Sequence, residues 1–150
     1  MVWKPEVTVA AIIEREQRFL VVEERINGRH VFNQPAGHVE DAESLVDAVR
    51  RETREETAWE FAPSALIGVY LWRHPHSGRS TLRFAFTGSV QDHDPGRPLD
   101  APIIRTHWLS RSELQARDAQ LRTPLVLRCI DDYLSGQRVP LAALGNLLDK

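Results

Sequence analysis

The sequence predicts an α+β fold in which helices pack on the faces of a mixed β-sheet. Short extended segments make up most of the chain, one long helix occupies its middle, and helical patterns return only near the C-terminus. The chain has 150 residues, of which 42% are hydrophobic and 27% charged, and these values suit an ordinary globular domain. We therefore expect a single domain with one core, spanning residues 1–150.

Extended segments are predicted where β-branched and aromatic residues are concentrated. The first two, at residues 7–13 and 19–22, are expected to form a hairpin, and Asn27-Gly28 predicts a further turn. Pro35, Ala36 and Gly37 are expected to interrupt the next extended piece, and residues 91–102 to form a polar loop. The other predicted strands lie at residues 31–32, 66–72, 81–86 and 103–109.

Three helices are predicted, each with a recognisable start or end. The longest runs from about residue 44 to residue 57, with Leu45, Ala48 and Val49 on the side that faces the core. Ser110 and Glu113 form a capping-box pattern, so a short helix should follow. Residues 125–134 form the last helix, which Pro124 should begin and Gly136 should close.

The composition argues against several classes of function. A net charge of −2 gives no basic surface for a nucleic-acid polymer or an anionic membrane. Cys129 is the only cysteine, which excludes an intrachain disulfide and a thiolate metal cluster. No segment approaches the roughly 20 apolar residues of a membrane-spanning helix, and the N-terminus lacks the pattern of a signal peptide. We expect a cytoplasmic protein.

Three carboxylates share one face of the longest helix. Glu52, Glu55 and Glu56 are three and four positions apart, and this spacing brings their side chains together. Two such charges about 5 Å apart repel by roughly 3 kcal/mol at an effective dielectric near 20. A hard divalent cation would offset that repulsion, and magnesium combines protein carboxylates with substrate phosphates. The alternative is a solvated acidic face with an Arg51–Glu55 pair.

The spacing around these glutamates is that of a known motif. Five residues separate Gly37 from Glu43, seven more lead to Arg51-Glu52, and Glu55-Glu56 follow after two. This segment resembles the Nudix box. Three positions depart from the usual pattern: Thr53 and Trp59 stand at aliphatic positions and Ala58 replaces the second glycine. A glycine there would close the helix in a left-handed conformation, so either Ala58 bears that strain or the helix ends differently.

The resemblance implies a fold and a set of roles. Nudix hydrolases form an α/β/α sandwich in which the box is a loop–helix–loop. By this resemblance a metal is held by Glu52, Glu55, Glu56 and the carbonyl of Gly37. Arg51 holds the glutamates in place and Glu43 supports the end of the loop. Magnesium is expected, and manganese also suits such ligands.

The attacking water is expected to be oriented and deprotonated by Glu52 or by a carboxylate outside the box. Our candidate for the outside carboxylate is Asp100, in the loop before the last strand; its alternative is a solvated loop aspartate.

Segments outside the box resemble the NudJ-type phosphatases within this family. These segments are residues 27–28, 33–38, 83–84, 121–126 and 135–140. The resemblance implies hydrolysis of nucleoside tri- and diphosphates, and of the thiamine precursor hydroxymethylpyrimidine pyrophosphate, with release of orthophosphate. Two other readings stay open: a pyrophosphatase for ADP-ribose or another linked nucleoside diphosphate, and a catalytically silent Nudix binding module. We expect a small phosphorylated substrate and a monomer or homodimer.

Four residues outside the box are candidates for substrate contact. Arg73 belongs to a basic group between two predicted strands, and Arg83 alternates with apolar neighbours on a strand. Gln34 adjoins the box and could hydrogen-bond to a ring, and Phe32 could stack on one. Each also has a structural interpretation, as a hairpin tip, a turn residue or a core side chain.

Overall fold

A computed structural model describes residues 1–149. The strands are β1 (Glu6–Ile12), β2 (Glu14–Arg15), β3 (Arg18–Ile26), β4 (Arg29–Asn33), β5 (Ala36–His38), β6 (Glu60–Arg73), β7 (Ser80–Gln91) and β8 (Ile103–Leu109). The helices are α1 (Leu45–Thr57), α2 (Arg111–Gln115) and α3 (Leu125–Leu134). Single 3₁₀ turns follow α2 and α3. No helix among the described residues is long and apolar enough to cross a membrane.

The strands form two sheets. One has the order β5-β1-β7-β6, with β1 and β7 parallel and the other pairs antiparallel. In the other, β3 pairs with β2, β4 and β8. The hairpin expected between residues 7–13 and 19–22 forms only next to its turn, where β2 pairs with β3 and Leu20 N donates to Ile13 O at 3.0 Å; β1 itself lies in a different sheet from β3. Val9, Ala10 and Ala11 are wholly buried, so both faces of β1 must be covered by other parts of the protein. The position of β1 between β5 and β7, with a packed layer on each face of the sheet, provides this burial.

Helices cover both faces of the first sheet. On one face Val9, Ala11 and Phe86 pack with Ala48 and Val49 of α1. On the other face a second cluster joins the sheet to α3 and to part of the second sheet; it includes Ala10, Ile12, Val21, Ala85, Cys129 and Ile130. The α+β sandwich with a mixed sheet is therefore confirmed, and its layers place α1 and α3 on opposite sides.

Helix α1 begins and ends as its sequence predicts. Ser44 caps it by accepting a hydrogen bond from Asp47 N at 3.1 Å. Ala58 closes it at φ 61° and ψ 18°, so alanine does adopt the left-handed conformation that favours glycine. Thr53 is wholly buried at the aliphatic position, and its hydroxyl donates to Val49 O at 2.8 Å. The departures at Thr53 and Ala58 thus leave the helix intact.

The other boundaries differ from expectation in two ways. Residues 36–38 form β5 and pair with β1, with Val9 opposite Gly37, where the sequence predicted only an interruption. Strands β6 and β7 extend beyond residues 66–72 and 81–86 because they pair with each other over twelve positions. The capping box of α2 is confirmed, since Ser110 and Glu113 each accept from the other's backbone N–H at 3.1 Å.

Candidate active site

A cavity of about 670 Å³ lies between the two sheets, beside α1. Its walls come from α1, β5, the α3-facing side of β1 and β7, and the segment that leads into α3. Acidic side chains dominate the lining: Glu6, Glu24, Glu40, Glu52, Glu55, Glu56 and Asp100. The basic lining residues are fewer: Arg79, Arg83 and Arg122, with His38 and His74.

Strand β5 holds the box glutamates against the cavity wall. Glu56 Oε1 accepts a hydrogen bond from Ala36 N at 2.9 Å. A Cβ atom at position 37 would collide with the carboxyl group of Glu52, so a larger residue there would have to displace that side chain. Glycine at position 37 therefore lets a helix side chain 15 positions later in the chain approach β5 closely. Gly37, Glu52 and Glu56 consequently border the same space.

Arg51 organises the box side chains. Its Nε and Nη2 donate to the two carboxylate oxygens of Glu43 at 2.7 and 2.9 Å. Its Nη1 donates to Glu52 at 2.8 Å and to Glu55 at 3.2 Å, and Nη2 also donates to the carbonyl of His38 at 3.0 Å. One guanidinium thus joins the end of β5, the end of the loop that follows it and the carboxylate face of α1.

Burial and crowding of negative charge shift the pKa values of the box glutamates. Burial raises the pKa of Glu56 to about 8, the Ala36 N–H opposes that rise, and the charges of Glu52 and Glu24 add to it. Burial also raises the pKa of Glu52, against the lowering effect of Arg51. Glu43 differs, because its hydrogen bonds with Arg51 hold its pKa below the usual value. The wall formed by Glu52 and Glu56 therefore favours a neutralising proton or cation.

These carboxylates border one space without forming a closed ligand shell. Within residues 1–149 no three acidic, histidine or cysteine side chains already converge as metal ligands. Glu52 and Glu55 instead point toward Arg51, and Glu56 toward Ala36 N. The pairing of Arg51 with Glu55, expected as the alternative to a metal site, is present alongside the clustered carboxylates. The donor set is hard oxygen, which suits a hard divalent cation.

Asp100 lies at the same wall, although the sequence placed it only in a loop. Its backbone N–H donates to Glu55 O at 3.0 Å, which fixes the loop to the last turn of α1. The side chain is exposed, lines the cavity and adds to the rise in the pKa of Glu52. The structure therefore brings Asp100 near the box glutamates, on the solvent side.

Arg83 lines the buried end of the cavity and contacts Gln34, which lies behind it and is not among the cavity-lining residues. Arg83 Nη1 donates to Gln34 Oε1 at 2.9 Å, and Nη2 donates to Asn33 Oδ1 at 3.2 Å. Gln34 Nε2 in turn donates to Val126 O at 2.7 Å, which fixes the orientation of the amide. Arg83, Gln34 and Asn33 are all buried, so this polar cluster belongs to the interior wall.

The other two substrate candidates lie elsewhere. Phe32 packs in the core cluster that faces α3, with its ring 5.6 Å from that of His107, and it is not among the cavity-lining residues. Successive residues of a strand face opposite sides, so Asn33 faces the cavity and Phe32 does not. Arg73 is exposed at the end of β6 and also lies outside the cavity lining, whereas Trp72 and His74 on either side line it.

Sequence reasoning missed two features of the cavity. Glu24 is buried and accepts from Arg122 Nη1 at 2.7 Å, across 98 residues of sequence. Thr8, opposite Arg83 on β1, has a buried hydroxyl with no partner in the described part of the chain. The signals available were weak: Arg122 lay in one of the segments that resemble NudJ-type phosphatases, and Thr8 was a polar residue in an otherwise apolar strand.

Comparisons with known proteins agree with this geometry. The chain matches the family profile described as NUDIX domain over residues 4–129. It is 44% identical to Phosphatase NudJ of Escherichia coli (strain K12) over 145 residues, covering 96% of this chain and 93% of that protein. It is 42% identical to Phosphatase NudJ of Shigella boydii serotype 4 over 144 residues, with the same coverage.

A solved structure shares the whole architecture. The structure described as NUDIX hydrolase from Nitrosomonas europaea superposes with a TM-score of 0.95 at 46% sequence identity. The match covers 98% of this chain and 100% of that one. The NUDIX domain of Shewanella oneidensis NrtR, solved with ADP ribose, has a TM-score of 0.70 at 15% identity, which is a likeness of fold alone.

Proposed function

The chain belongs to the Nudix family of phosphohydrolases, and we propose that it hydrolyses a phosphoanhydride bond in a small phosphorylated substrate with the help of magnesium. The proposed substrates are nucleoside tri- and diphosphates and hydroxymethylpyrimidine pyrophosphate, with orthophosphate as the released product. One observation carries the proposal: Glu52, Glu55 and Glu56 line a cavity that Arg83 and Trp72 also line. The cavity therefore offers a cation-binding wall and a wall for an organic group.

A divalent cation accounts for the charge of this cavity. The acidic side chains that line it outnumber the basic ones, so a phosphate chain would be repelled without a positive partner. Glu52 and Glu56, with Glu55 and the carbonyl of Gly37, are the groups we propose as ligands. To bind the metal ion, Glu52 and Glu55 must give up their hydrogen bonds with Arg51. A bound magnesium ion would make a water more nucleophilic and offset charge on the phosphoryl oxygens, and manganese could replace it.

The remaining residues position these groups and handle the proton. Arg51 and Glu43 hold the loop and the carboxylate face in register. We assign deprotonation of the attacking water to Glu52, and we retain Asp100 as the outside carboxylate that could do so. Arg122, which is 43% exposed and paired with Glu24, is the basic side chain we propose to contact the phosphate chain.

The test is a product analysis with purified protein. ATP, ADP, ADP-ribose and hydroxymethylpyrimidine pyrophosphate are each incubated with magnesium, and orthophosphate, pyrophosphate and AMP are quantified. Glu52→Gln serves as the inactive control, because it keeps the side-chain volume and removes the charge. Orthophosphate from ATP, ADP and the pyrimidine diphosphate, absent with the variant, is the expected result.

Two other outcomes would replace this proposal. AMP from ADP-ribose, without hydrolysis of the other compounds, would assign the cavity to a linked nucleoside diphosphate. Tight binding with no turnover of any substrate would identify a silent binding module, the reading we favour least because all three box glutamates are present.

A further inference from the structure

Arg83 is a buried cation that has no buried acidic side chain as its partner. Its residue is 4% exposed, and its nearest partners are the neutral amides of Asn33 and Gln34 and the thiol of Cys129 at 3.9 Å. In residues 1–149 it forms no ion pair with a carboxylate. A buried guanidinium is costly unless its donors are satisfied, so a position like this calls for a partner from outside the chain.

Two polar atoms at this position lack any partner among the described residues. They are Nε of Arg83 and the hydroxyl oxygen of Thr8. Thr8 and Arg83 are direct neighbours across the parallel pair of β1 and β7, so their side chains leave the sheet on the same face. Unsatisfied buried polar atoms are uncommon in native proteins, and two adjacent ones at a cavity wall indicate a ligand or an ordered water.

The donors of Arg83 are held in fixed directions. Gln34 is anchored to Val126 O, so its Oε1 faces Arg83, and Asn33 Oδ1 binds the other terminal nitrogen. Asn33 also lines the cavity, so its side-chain amide stands at the same wall as Arg83. A rigid array of this kind recognises the direction of an acceptor, whereas a mobile surface arginine recognises charge alone.

An aromatic wall stands beside these donors. Trp72 lies opposite Thr81, which is two residues before Arg83 on β7, so Trp72 and Arg83 share the inner face of the sheet. Trp72 is half-buried, lines the cavity and packs edge-on against His74 with ring centres 5.3 Å apart. A flat apolar surface next to fixed donors fits a planar ring that carries acceptor atoms.

We propose that Arg83, Asn33 and Thr8 bind the acceptor edge of a planar heterocycle, an oxo group or a ring nitrogen, while Trp72 packs against the ring. This subsite deepens the proposed function, on which it rests: the phosphate chain lies at the box glutamates and the ring at Arg83. The arrangement makes Arg83 a determinant of which organic group the enzyme accepts, separate from the groups that act on phosphate.

The test is binding of ligands that differ only in the ring. Uridine monophosphate, adenosine monophosphate and ribose 5-phosphate are titrated calorimetrically in magnesium buffer; none contains an anhydride bond, so none is turned over. In the unaltered protein each nucleotide should bind at least about tenfold more tightly than ribose 5-phosphate. Arg83→Gln and Arg83→Lys should both reduce that ratio several-fold, leaving the part that Trp72 supplies, and Arg25→Gln, at an exposed arginine outside the cavity lining, should keep it.

Each outcome decides the matter. A ratio that survives in Arg83→Lys would mean that Arg83 supplies only charge, and a ratio near one in the unaltered protein would remove the subsite; either overturns the proposal. Thermal melting of each variant verifies folding, and Thr8→Val, which keeps the side-chain shape, carries the test if Arg83→Gln does not fold. Nucleotide-selective binding without hydrolysis of any of the nucleoside tri- and diphosphates or of hydroxymethylpyrimidine pyrophosphate would retain the subsite while rejecting the proposed function.

Discussion

Arg51 and Glu43 form a two-point ion pair, with Nε and Nη2 of the guanidinium 2.7 and 2.9 Å from the two carboxylate oxygens. Only 16% of the Arg51 side chain and 14% of the Glu43 side chain are exposed. Such paired, charge-assisted hydrogen bonds are among the stronger polar contacts in proteins. The pair joins the loop before α1 to the middle of the helix, and the same guanidinium then reaches the carboxylates we propose as metal ligands.

Replacing Arg51 by methionine should therefore destabilise the metal-free protein. The substitution leaves Glu43, Glu52 and Glu55 partly buried without their common cation, and we expect a loss of about 2–4 kcal/mol in the free energy of unfolding. Urea denaturation in chelator-treated buffer measures it. Arg50→Met on the exposed side of α1 is the matched control and should change stability by less than about 0.5 kcal/mol. A similar small change for both variants would show that Arg51 is not the organising cation.

Glu52 and Asp100 should differ in their effect on turnover. With saturating substrate and magnesium, we expect Glu52→Gln to lower kcat by about 10²–10⁴, the range for loss of an acid–base group. Asp100→Asn should lower kcat by less than about tenfold, because the exposed side chain can be replaced while the backbone contact with Glu55 is kept. The reverse order of effects would assign deprotonation of the water to Asp100.

Two alanines have the left-handed conformation, and replacing each by glycine should stabilise the protein, the exposed one more than the buried one. Ala42 is exposed at φ 63°, and Ala58 is 4% exposed at φ 61°. Ala42→Gly should raise the free energy of unfolding by about 0.5–1 kcal/mol, since relief of strain exceeds the entropy of the added glycine. Ala58→Gly should gain less, because it also loses a buried methyl group.

The matched control for these alanines is Ala116, at the end of α2. It has φ −65° and ψ −18°, a right-handed conformation in which alanine is favoured. Ala116→Gly should lower stability by up to about 1 kcal/mol. Thermal melting of the three variants, compared in one buffer, gives the order, and a gain at Ala116 equal to that at Ala42 would contradict the role of the left-handed conformation.

Part of the stability that the protein loses at acid pH should come from Glu23. Its carboxylate accepts from His30 Nδ1 at 2.5 Å and from His107 Nε2 at 2.8 Å, and these hydrogen bonds lower its pKa from the usual 4.5. A carboxyl group whose pKa is lower in the folded state stabilises the protein above its unfolded pKa and loses that contribution as the pH falls through the folded pKa. Glu23→Gln should therefore be less stable than the unaltered protein near neutral pH, and the gap should close below the usual pKa.

Urea denaturation at a series of pH values between about 3 and 6 measures this dependence. Glu16→Gln, at an exposed position in the turn before β3, is the control and should follow the unaltered protein throughout. A gap between Glu23→Gln and the unaltered protein that stays constant down to the lowest pH would mean that Glu23 acts through packing and not through its charge.

Local sequence was sufficient to predict α1 and its carboxylate face. The extent of the helix and the three-and-four spacing of Glu52, Glu55 and Glu56 depend on residues a few positions apart. The capping box of α2 was predictable for the same reason. The sequence left open whether Ala58 adopts the left-handed conformation that it has in the structure. Motif spacing also assigned Gly37 to the site, although its close approach to the carboxyl group of Glu52 is visible only in three dimensions.

Only the tertiary structure decided which strands share a sheet and which side chains form the cavity. β1 pairs with β7, more than 70 residues later, and not with the neighbouring β3 that the sequence suggested. Arg83 meets Asn33 across 50 residues, while Phe32, next to Asn33 on β4, turns into the core. Successive side chains of a strand point to opposite faces of the sheet. The sequence pattern therefore shows that a strand has two faces, but it does not show which elements pack on each face. The cover comes from helices and strands far along the chain, and the cavity follows from their packing.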